Sequence, residues 1–413
     1  MLEVLRVTAY RRLFTAQVVA LAGTGLLTVA LGLLAYDLAG ARAGTVLGTA
    51  LTIKMLAYVF VAPVMAVLVE RVPRKAVLIG ADLMRTGIAL TLPLVDQVWQ
   101  IYLLVFILQS ASATFTPAFQ ALIPTLLPRE RDYTRALSLS RLAYDLESVL
   151  SPILAAALLT FMSFHLLFVG TAVGFLLSAA MVVATPLPPQ QITVRRTSVL
   201  HRTTLGTRIF LGEPTLRGLM ALNFVVACGT ALVLVNTVVY ALELFEGTNT
   251  DLAIALACYG AGSMAVALTV PPLLDRVTDR TLMIAGGGVI SLGLGLAGVL
   301  AAAGQSWVLL LAVWTVLGAG TSMINTPSAR LLRRAATSAS RAHLFTAQFS
   351  LSHACFILTY PIAGWLGATL GQEATAGILA GLATLGVLAA LRLWPRGWSP
   401  ISGETATVQE AHQ

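Results

Sequence analysis

Six charged side chains lie within stretches that are otherwise strongly apolar, and these are the residues that suggest chemistry. They are Lys54, Asp82, Arg85, Arg141, Asp145 and Glu147. If the stretches cross a bilayer, a charge near its centre costs roughly 3 kcal/mol, so each charge needs a partner or a function. All six lie in the first half of the chain. We therefore expect ion coupling there, and expect the second half mainly to shape a cavity.

The spacing of these charges predicts two ion pairs. Asp82 and Arg85 are three residues apart and therefore share a helix face. A structural pair is the preferred interpretation for them, and a proton relay is the alternative. Arg141 and Asp145 are four residues apart and can pair in the same way.

Glu147 is the carboxyl that this pairing leaves over. It lies two residues after Asp145, which turns it about 200° around the helix, so it needs another partner. It stands 147 − 136 = 11 residues from the predicted start of its span, near the middle of a membrane. A desolvated carboxyl there can bind a proton from one side and release it to the other. Coupling through Asp145 or Glu147 and a static ion-pair network both remain open.

Lys54 and His353 are the other candidates inside apolar stretches. Lys54 is one of only two lysines in the chain, and Glu147 is a candidate partner for its amine. His353 stands two residues before Cys355, and residues two apart face different sides of a helix. The pair therefore makes no chelate, and we predict a core histidine and no metal site.

The composition predicts an all-α membrane protein. Of 413 residues, 57% are apolar and 11% are charged, which is too hydrophobic for a soluble globule. A helix needs about 20 apolar residues to cross the hydrocarbon. Twelve such spans are predicted, at 13–36, 46–69, 76–95, 101–125, 136–160, 164–185, 218–241, 252–274, 281–303, 307–329, 342–365 and 374–394. They leave no room for a soluble catalytic domain.

The basic residues predict the orientation of these spans. Most of the 26 lysines and arginines lie in the terminal segments and in alternate loops, near Arg71, Arg129, Arg196, Arg276 and Arg333. This distribution matches the positive-inside rule, so both termini are predicted to be cytoplasmic. It also accounts for the net charge of +8, so no nucleic-acid partner is expected. The N-terminus reads as an uncleaved first span, and the three cysteines as unpaired core thiols.

The chain divides into two repeated halves. We predict six-helix bundles at 1–185 and 218–394, a cytoplasmic linker at 186–217 and a cytoplasmic tail at 395–413. Glu70-Arg71 is matched by Asp275-Arg276, 275 − 70 = 205 residues later. Pro152 is matched by Pro361, 361 − 152 = 209 residues later. Two halves of six spans share one orientation, as in transporters that bind their solute between two parallel repeats.

One of these repeated turns resembles a known family signature. The sequence Ala66-Val-Leu-Val-Glu70-Arg71-Val-Pro-Arg74-Lys75 is similar to the major facilitator superfamily motif Gly-x3-Asp-Arg-x-Gly-Arg-Arg/Lys. The resemblance implies that the turn acts as a latch that closes one bundle against the other on the cytoplasmic face. The implied latch residues are Glu70, Arg71, Arg74 and Lys75, with Asp275 and Arg276 in the second copy. In that fold the second helix faces the eleventh, which would bring His353 near Lys54.

Two further segments resemble a bacterial exporter group within that superfamily. The pattern Pro-Ala-x2-Ala-Leu-Ile-Pro at 117–124 and the Ala-Leu-Ser-Leu-Ser run at 136–140 are similar to siderophore, macrolide and nickel-resistance exporters. The opening around Tyr10 to Gln17 is most similar to the nickel-resistance branch. The resemblance implies a multi-pass protein of the bacterial inner membrane that confers resistance by efflux.

The expected function is therefore secondary transport. We predict a proton-coupled exporter of a metal ion, a metal chelate or siderophore, or a small drug, working by alternating access as a monomer. An importer of the same fold and a transport-derived sensor are the alternatives. Neither a Gly-x4-Gly-Lys-Ser/Thr stretch nor a His-Glu-x2-His motif occurs, so we expect neither an ATPase nor another enzyme, and no cofactor. Polar residues expected along the path are Gln17, Gln109, Asn223, Asn236, Asn325 and His353.

Overall fold

The computed structural model describes residues 2–61, 65, 72–127, 129–187, 199–274, 276–303, 306–335 and 341–395. Within these residues the chain is almost entirely helical and has no strand. Such a structure suits a membrane interior, because a helix satisfies its backbone hydrogen bonds within one segment.

Six α-helices of the described chain form the first bundle. They are α1 (Thr8–Ala39), α2 (Ala43–Leu56), α3 (Arg74–Thr91), α4 (Val98–Leu126), α5 (Glu130–Leu159) and α6 (His165–Val183). Helix α2 continues into a π-helical turn at Ala57–Val61. Pro152 lies inside α5.

The second bundle follows a linker helix, α7 (Val199–Gly212). Its helices are α8 (Pro214–Ala231), α9 (Asn249–Leu273), α10 (Asp279–Ala303), α11 (Trp307–Ala335), α12 (Arg341–Pro361) and α13 (Gly371–Leu393). Helix α8 continues through π-helical segments at Leu232–Asn236 and Tyr240–Leu244, and α12 through one at Ile362–Leu366. Helix α7 packs on α12 and α8, so this helix of the predicted linker lies against the second bundle.

Each of the twelve predicted spans overlaps one of these bundle helices, but the number of membrane crossings stays a prediction. By length and composition, 10 helical stretches of the described chain can cross a membrane. One of them, Thr8–Val61, includes both α1 and α2. Within α5, only Leu150–Leu159 qualifies, as a shorter apolar helix. Several side chains in the first part of α5 lie outside what the structure describes, so that part of the predicted span is not counted.

The bundles meet along two pairs of helices, α2 with α12 and α5 with α9. We call the end of the bundles that carries Arg12, Lys75 and Arg280 the basic end. The other end, which carries Tyr36 and Glu243, is called the opposite end. Three hydrogen bonds join the bundles at the opposite end: Tyr36 to Glu243 (2.9 Å), Thr45 to the Gly364 carbonyl (3.2 Å) and Trp365 to Thr49 (3.1 Å).

Small residues let the backbones of α2 and α12 touch at this end. A Cβ atom on Gly48 would lie 2.6 Å from the Tyr360 carbonyl oxygen and 3.0 Å from Gly364 Cα. Gly44 and Gly48 are four residues apart and so face the same partner, as in the small-x3-small pattern of membrane helix pairs. The opposite end is therefore closed in this structure.

A second close backbone contact lies within the second bundle and gives a test of its packing. Gly318 of α11 lies directly against the Tyr259 carbonyl of α9, whereas Gly295 of α10 faces open space. We expect Gly318→Ala to lower the thermal unfolding temperature of the purified protein, because the two helices must separate to admit the methyl group. Gly295→Ala is the matched control, and we expect it to be neutral or slightly stabilising. Equal unfolding temperatures for the two variants would contradict this packing.

Candidate functional site

Asp82 and Arg85 of α3 form a buried ion pair, as their spacing predicts. Their residues are 0% and 4% exposed, so the pair has almost no access to solvent. Ser178 of α6 donates a hydrogen bond of 2.7 Å to the second carboxylate oxygen of Asp82. The pair thus fastens α3 to α6 in the core of the first bundle.

Two aromatic rings enclose the guanidinium of Arg85. Its central carbon lies 4.4 Å from the ring centre of Phe115 on α4 and 4.5 Å from that of Phe175 on α6. Cation–π contacts of this kind gain strength when the cation is desolvated. Residues from three helices of one bundle therefore stabilise the Arg85 charge. This enclosure favours a structural role for the Asp82–Arg85 pair.

Lys54 and Glu147 occupy a different place, at the junction of the bundles. The two groups are near enough to interact electrostatically, although in the described part of the chain they do not close to a direct salt bridge. The Lys54 ammonium lies 5.9 Å from the ring centre of Tyr58, one turn further along the helix. Glu147 fits beside α1 because Gly25 has no side chain there: a Cβ atom on Gly25 would lie 2.8 Å from Glu147 Oε1.

His353 of α12 completes this group from the second bundle. Its ring packs edge-on against Tyr58 at 5.8 Å and lies 4.1 Å from the ring of Phe349. Its Nδ1 atom is 2.7 Å from the Phe349 carbonyl oxygen, and Lys54 acts on it electrostatically. The expected proximity of His353 and Lys54 is therefore confirmed. We call Lys54, Tyr58, Glu147 and His353 the junction cluster.

The remaining predicted charges of α5 lie outside what the structure describes. The side chains of Arg141 and Asp145 are not among the described atoms, so their predicted pairing stays a prediction. Within the described residues, no group of three or more His, Cys, Asp or Glu side chains is arranged to hold a metal ion.

The predicted path residues are mainly engaged in hydrogen bonds between helices. Gln17 of α1 accepts from Ser140 of α5 (3.1 Å). Asn223 of α8 and Gln348 of α12 exchange two bonds, of 3.1 and 3.2 Å. Asn236 donates to the Ala363 carbonyl. Gln109 is buried and Asn325 is half-buried.

Lys75, a predicted latch residue, makes its bonds within its own bundle. Its ammonium donates to the carbonyls of Val183 (2.8 Å) and Thr185 (2.9 Å) at the end of α6. Arg280 stands 280 − 75 = 205 residues later, and it binds the carbonyls of Leu391 and Trp394 at the end of α13. Both residues satisfy carbonyls that a helix terminus leaves unpaired. The matching pair supports the internal repeat.

The other predicted latch residues are only partly described. Glu70, Arg71 and Asp275 lie outside the described residues. Arg74 begins α3, and Arg276 is exposed in the turn before α10. A latch across the bundles therefore stays a prediction.

Sequence reasoning missed a charged cluster at the start of α10. Asp279, only 6% exposed, pairs with Arg330 (2.9 Å) and Arg334 (3.0 Å) of α11. A signal was present, because the two arginines are four residues apart on one face of α11. It was missed because Asp279 stands where the family motif has a basic residue.

The chain resembles known proteins in sequence as well as in architecture. A family model described as Major Facilitator Superfamily matches residues 13–248 and 219–409. The chain belongs to the major facilitator superfamily.

The curated relatives that match the chain share low sequence identity with it. Macrolide efflux protein A of Enterococcus faecalis is 28% identical over 152 residues, which is 34% of this chain and 47% of that protein. The protein of the same name from Streptococcus pyogenes is 28% identical over 148 residues, 35% of this chain and 36% of the relative. The match thus spans less than half the length of these relatives. YfiS of Bacillus subtilis, an uncharacterised transporter of this type, is 24% identical over 66% of both chains.

Solved structures of transporters share the fold. The nucleoside transporter NupG has a TM-score of 0.70 at 13% identity and covers 94% of this chain and 100% of its own. A bacterial homologue of the lysosomal transporter Spinster, in an inward-facing and unoccupied conformation, has a TM-score of 0.73 at 13% identity, covering 95% and 98%. This likeness shows a transporter fold; family membership and the many apolar helices make the chain a multi-pass membrane protein.

The Asp82–Arg85 pair gives a stability prediction. Asp82→Asn leaves the Arg85 charge buried without a counter-charge, so we expect a loss of about 3–5 kcal/mol in the free energy of unfolding. The double variant Asp82→Leu/Arg85→Met removes both charges and should recover most of this loss. Thermal and denaturant unfolding in detergent measures both. A single variant as stable as the unmodified protein would contradict a structural role.

Removal of the acid from the Asp279 cluster should cost less stability than its removal from the Asp82–Arg85 pair. The side chains of Arg330 and Arg334 are 31% and 47% exposed, so water stabilises them when the acid is removed. We expect Asp279→Asn to cost about 1 kcal/mol. The loss should shrink as salt is added, because exposed charges are screened. A salt-independent loss as large as that of Asp82→Asn would show that the cluster is buried in solution.

Proposed function

We propose that this chain is a proton-coupled secondary exporter of small amphipathic drugs that works by alternating access. The observation that carries the proposal is the junction cluster, because it joins ionisable groups of both bundles at the place where the bundles meet. Its charges lie apart from the closed Asp82–Arg85 pair, and in the described chain Lys54 and Glu147 are not closed into a direct salt bridge.

Glu147 is the proposed coupling group. It belongs to the first bundle and lies near the Lys54 ammonium, which in turn acts on His353 of the second bundle. Protonation of the carboxyl would remove its attraction for Lys54 and so change the electrostatic interaction across the bundle junction. A proton can in this way favour one arrangement of the bundles over another, which is the requirement for coupled transport. Asp145 remains the second candidate for this role.

The drug class rests on the relatives. Proteins named for macrolide efflux match one third of the chain, and the aromatic rings of Tyr58, Phe349 and His353 give the junction an apolar lining with polar tips. Such lining suits a molecule that combines an apolar body with a few polar groups. The basic end is proposed to face the cytoplasm of a bacterium, in line with the positive-inside rule.

Transport in proteoliposomes tests the proposal. We expect a pH gradient to drive uptake of erythromycin into inside-out vesicles. Glu147→Gln should reduce this driven uptake at least tenfold while leaving exchange of labelled for unlabelled erythromycin active. Glu373→Gln changes an exposed acid of the second bundle and is the matched control.

Other outcomes separate the alternatives. If both Glu147→Gln and Asp145→Asn transport like the unmodified protein, the coupling proposal is wrong. Absence of exchange for every compound in a panel of macrolides, siderophores, nickel and cobalt would favour a sensor. Gradient-driven uptake into right-side-out vesicles would indicate an importer.

A further inference from the structure

Two amide oxygens are buried at the opposite-end contact without a hydrogen-bond partner. They are Asn236 Oδ1, on a residue that is 0% exposed, and Gln372 Oε1, on a residue that is 7% exposed. Both belong to the second bundle. The Thr359 hydroxyl of α12, also 0% exposed, is likewise without a partner, but only the two amide oxygens share one space, beside Gly367.

The geometry fixes which way the Asn236 amide points. Its nitrogen donates to the Ala363 carbonyl at 3.1 Å, so its oxygen faces away from α12. That oxygen is pressed against α2 of the first bundle, since a Cβ atom on Gly44 would lie 2.8 Å from it. The glycine that permits the close helix contact therefore leaves the acceptor facing a carbon atom, which offers at most a weak C–H···O interaction.

Gln372 borders the same narrow space. A Cβ atom on Gly367 would lie 3.2 Å from Asn236 Oδ1 and 3.6 Å from Gln372 Oε1. The Gln372 nitrogen makes only a long bond of 3.5 Å to the Gly367 carbonyl. Asn236 ends one π-helical segment and Gly367 directly follows another. π-Helical turns of this kind often occur at functional sites.

These orphaned acceptors oppose the bonds that hold the contact closed. A buried polar group without a partner carries the full penalty of losing water. If the bundles part at this end, both oxygens meet water and the penalty disappears. We propose that Asn236 and Gln372 form a hydration-driven release, which keeps the closed contact from becoming too stable to open. The inference rests on the alternating access proposed above.

Distances between spin labels test the release without any transport assay. Arg42 of the first bundle and Thr248 of the second are both exposed at the opposite end. Labels at Arg42→Cys and Thr248→Cys, with the three native cysteines replaced by alanine, report the separation of the bundles in lipid nanodiscs. Pulsed electron resonance, with and without erythromycin, gives the fractions of closed and open molecules.

Gln372→Met is the decisive variant, because methionine keeps the shape and removes the acceptor. We expect it to lower the open-to-closed ratio about tenfold, which corresponds to ~1.4 kcal/mol. Gln372→Glu adds a charge that needs more water and should raise the ratio. Asn236→Leu should act in the same direction as Gln372→Met. Thr215→Val is the matched control, because the Thr215 hydroxyl is equally buried and unpartnered but lies at the basic end. It should leave the ratio unchanged.

The outcomes are distinguishable. Variants that keep the unfolding transition of the parent but change the ratio less than twofold overturn the release, as does a shift by Thr215→Val equal to that of Gln372→Met. A misfolded Asn236→Leu leaves the two Gln372 variants to decide. If the labels show a single distance in every variant, with and without erythromycin, the bundles do not part, and alternating access fails together with the release.

Discussion

A lipid interior offers no hydrogen-bond partners, and this constraint determines where each polar group of the chain lies. The most deeply buried ion pair is enclosed by its neighbours. Asp82 is bonded to Arg85 and Ser178, and the Arg85 guanidinium lies between two aromatic rings. The ends of α6 and α13 are closed by Lys75 and Arg280. Among the described residues, buried atoms without a hydrogen-bond partner occur within single bundles, as Arg85 Nε and Thr215 Oγ1, and also where the two bundles meet, as Asn236 Oδ1 and Gln372 Oε1.

The two bundles share a backbone plan but differ in their charges. The first carries the buried ion pair and supplies Lys54 and Glu147 to the junction cluster, while the second contributes His353 and neutral amides. Near the basic end of the second bundle, Asp279 pairs with arginines that remain partly in water. The two halves therefore share their end caps, at Lys75 and Arg280, whereas their charged clusters differ in position and burial.

The helices and their order follow from the sequence because apolar length and basic turns are local signals. The same holds for the Asp82–Arg85 pair, since both residues lie on one helix. Partners from other helices could not be predicted, because nothing in the sequence around Phe115, Phe175 or Ser178 indicates that they surround the Asp82–Arg85 pair. The sequence suggested Glu147 as a candidate partner for Lys54; the two groups lie near each other without a direct salt bridge, so the pairing stays a prediction. The π-helical turns have no periodic pattern in the sequence, so the position of the Asn236 side-chain oxygen could not be predicted either.

The caps on α6 also bear on how the halves are joined. Lys75 and Arg12 hold the last carbonyls of α6, at Val183 to Thr185, so the first bundle ends at a firmly attached point. The second bundle begins with α7, which packs on α12 and α8. The described chain therefore leaves the first bundle at Leu187 and resumes at Val199 against the second bundle, while the two halves touch directly where α2 meets α12 and α5 meets α9.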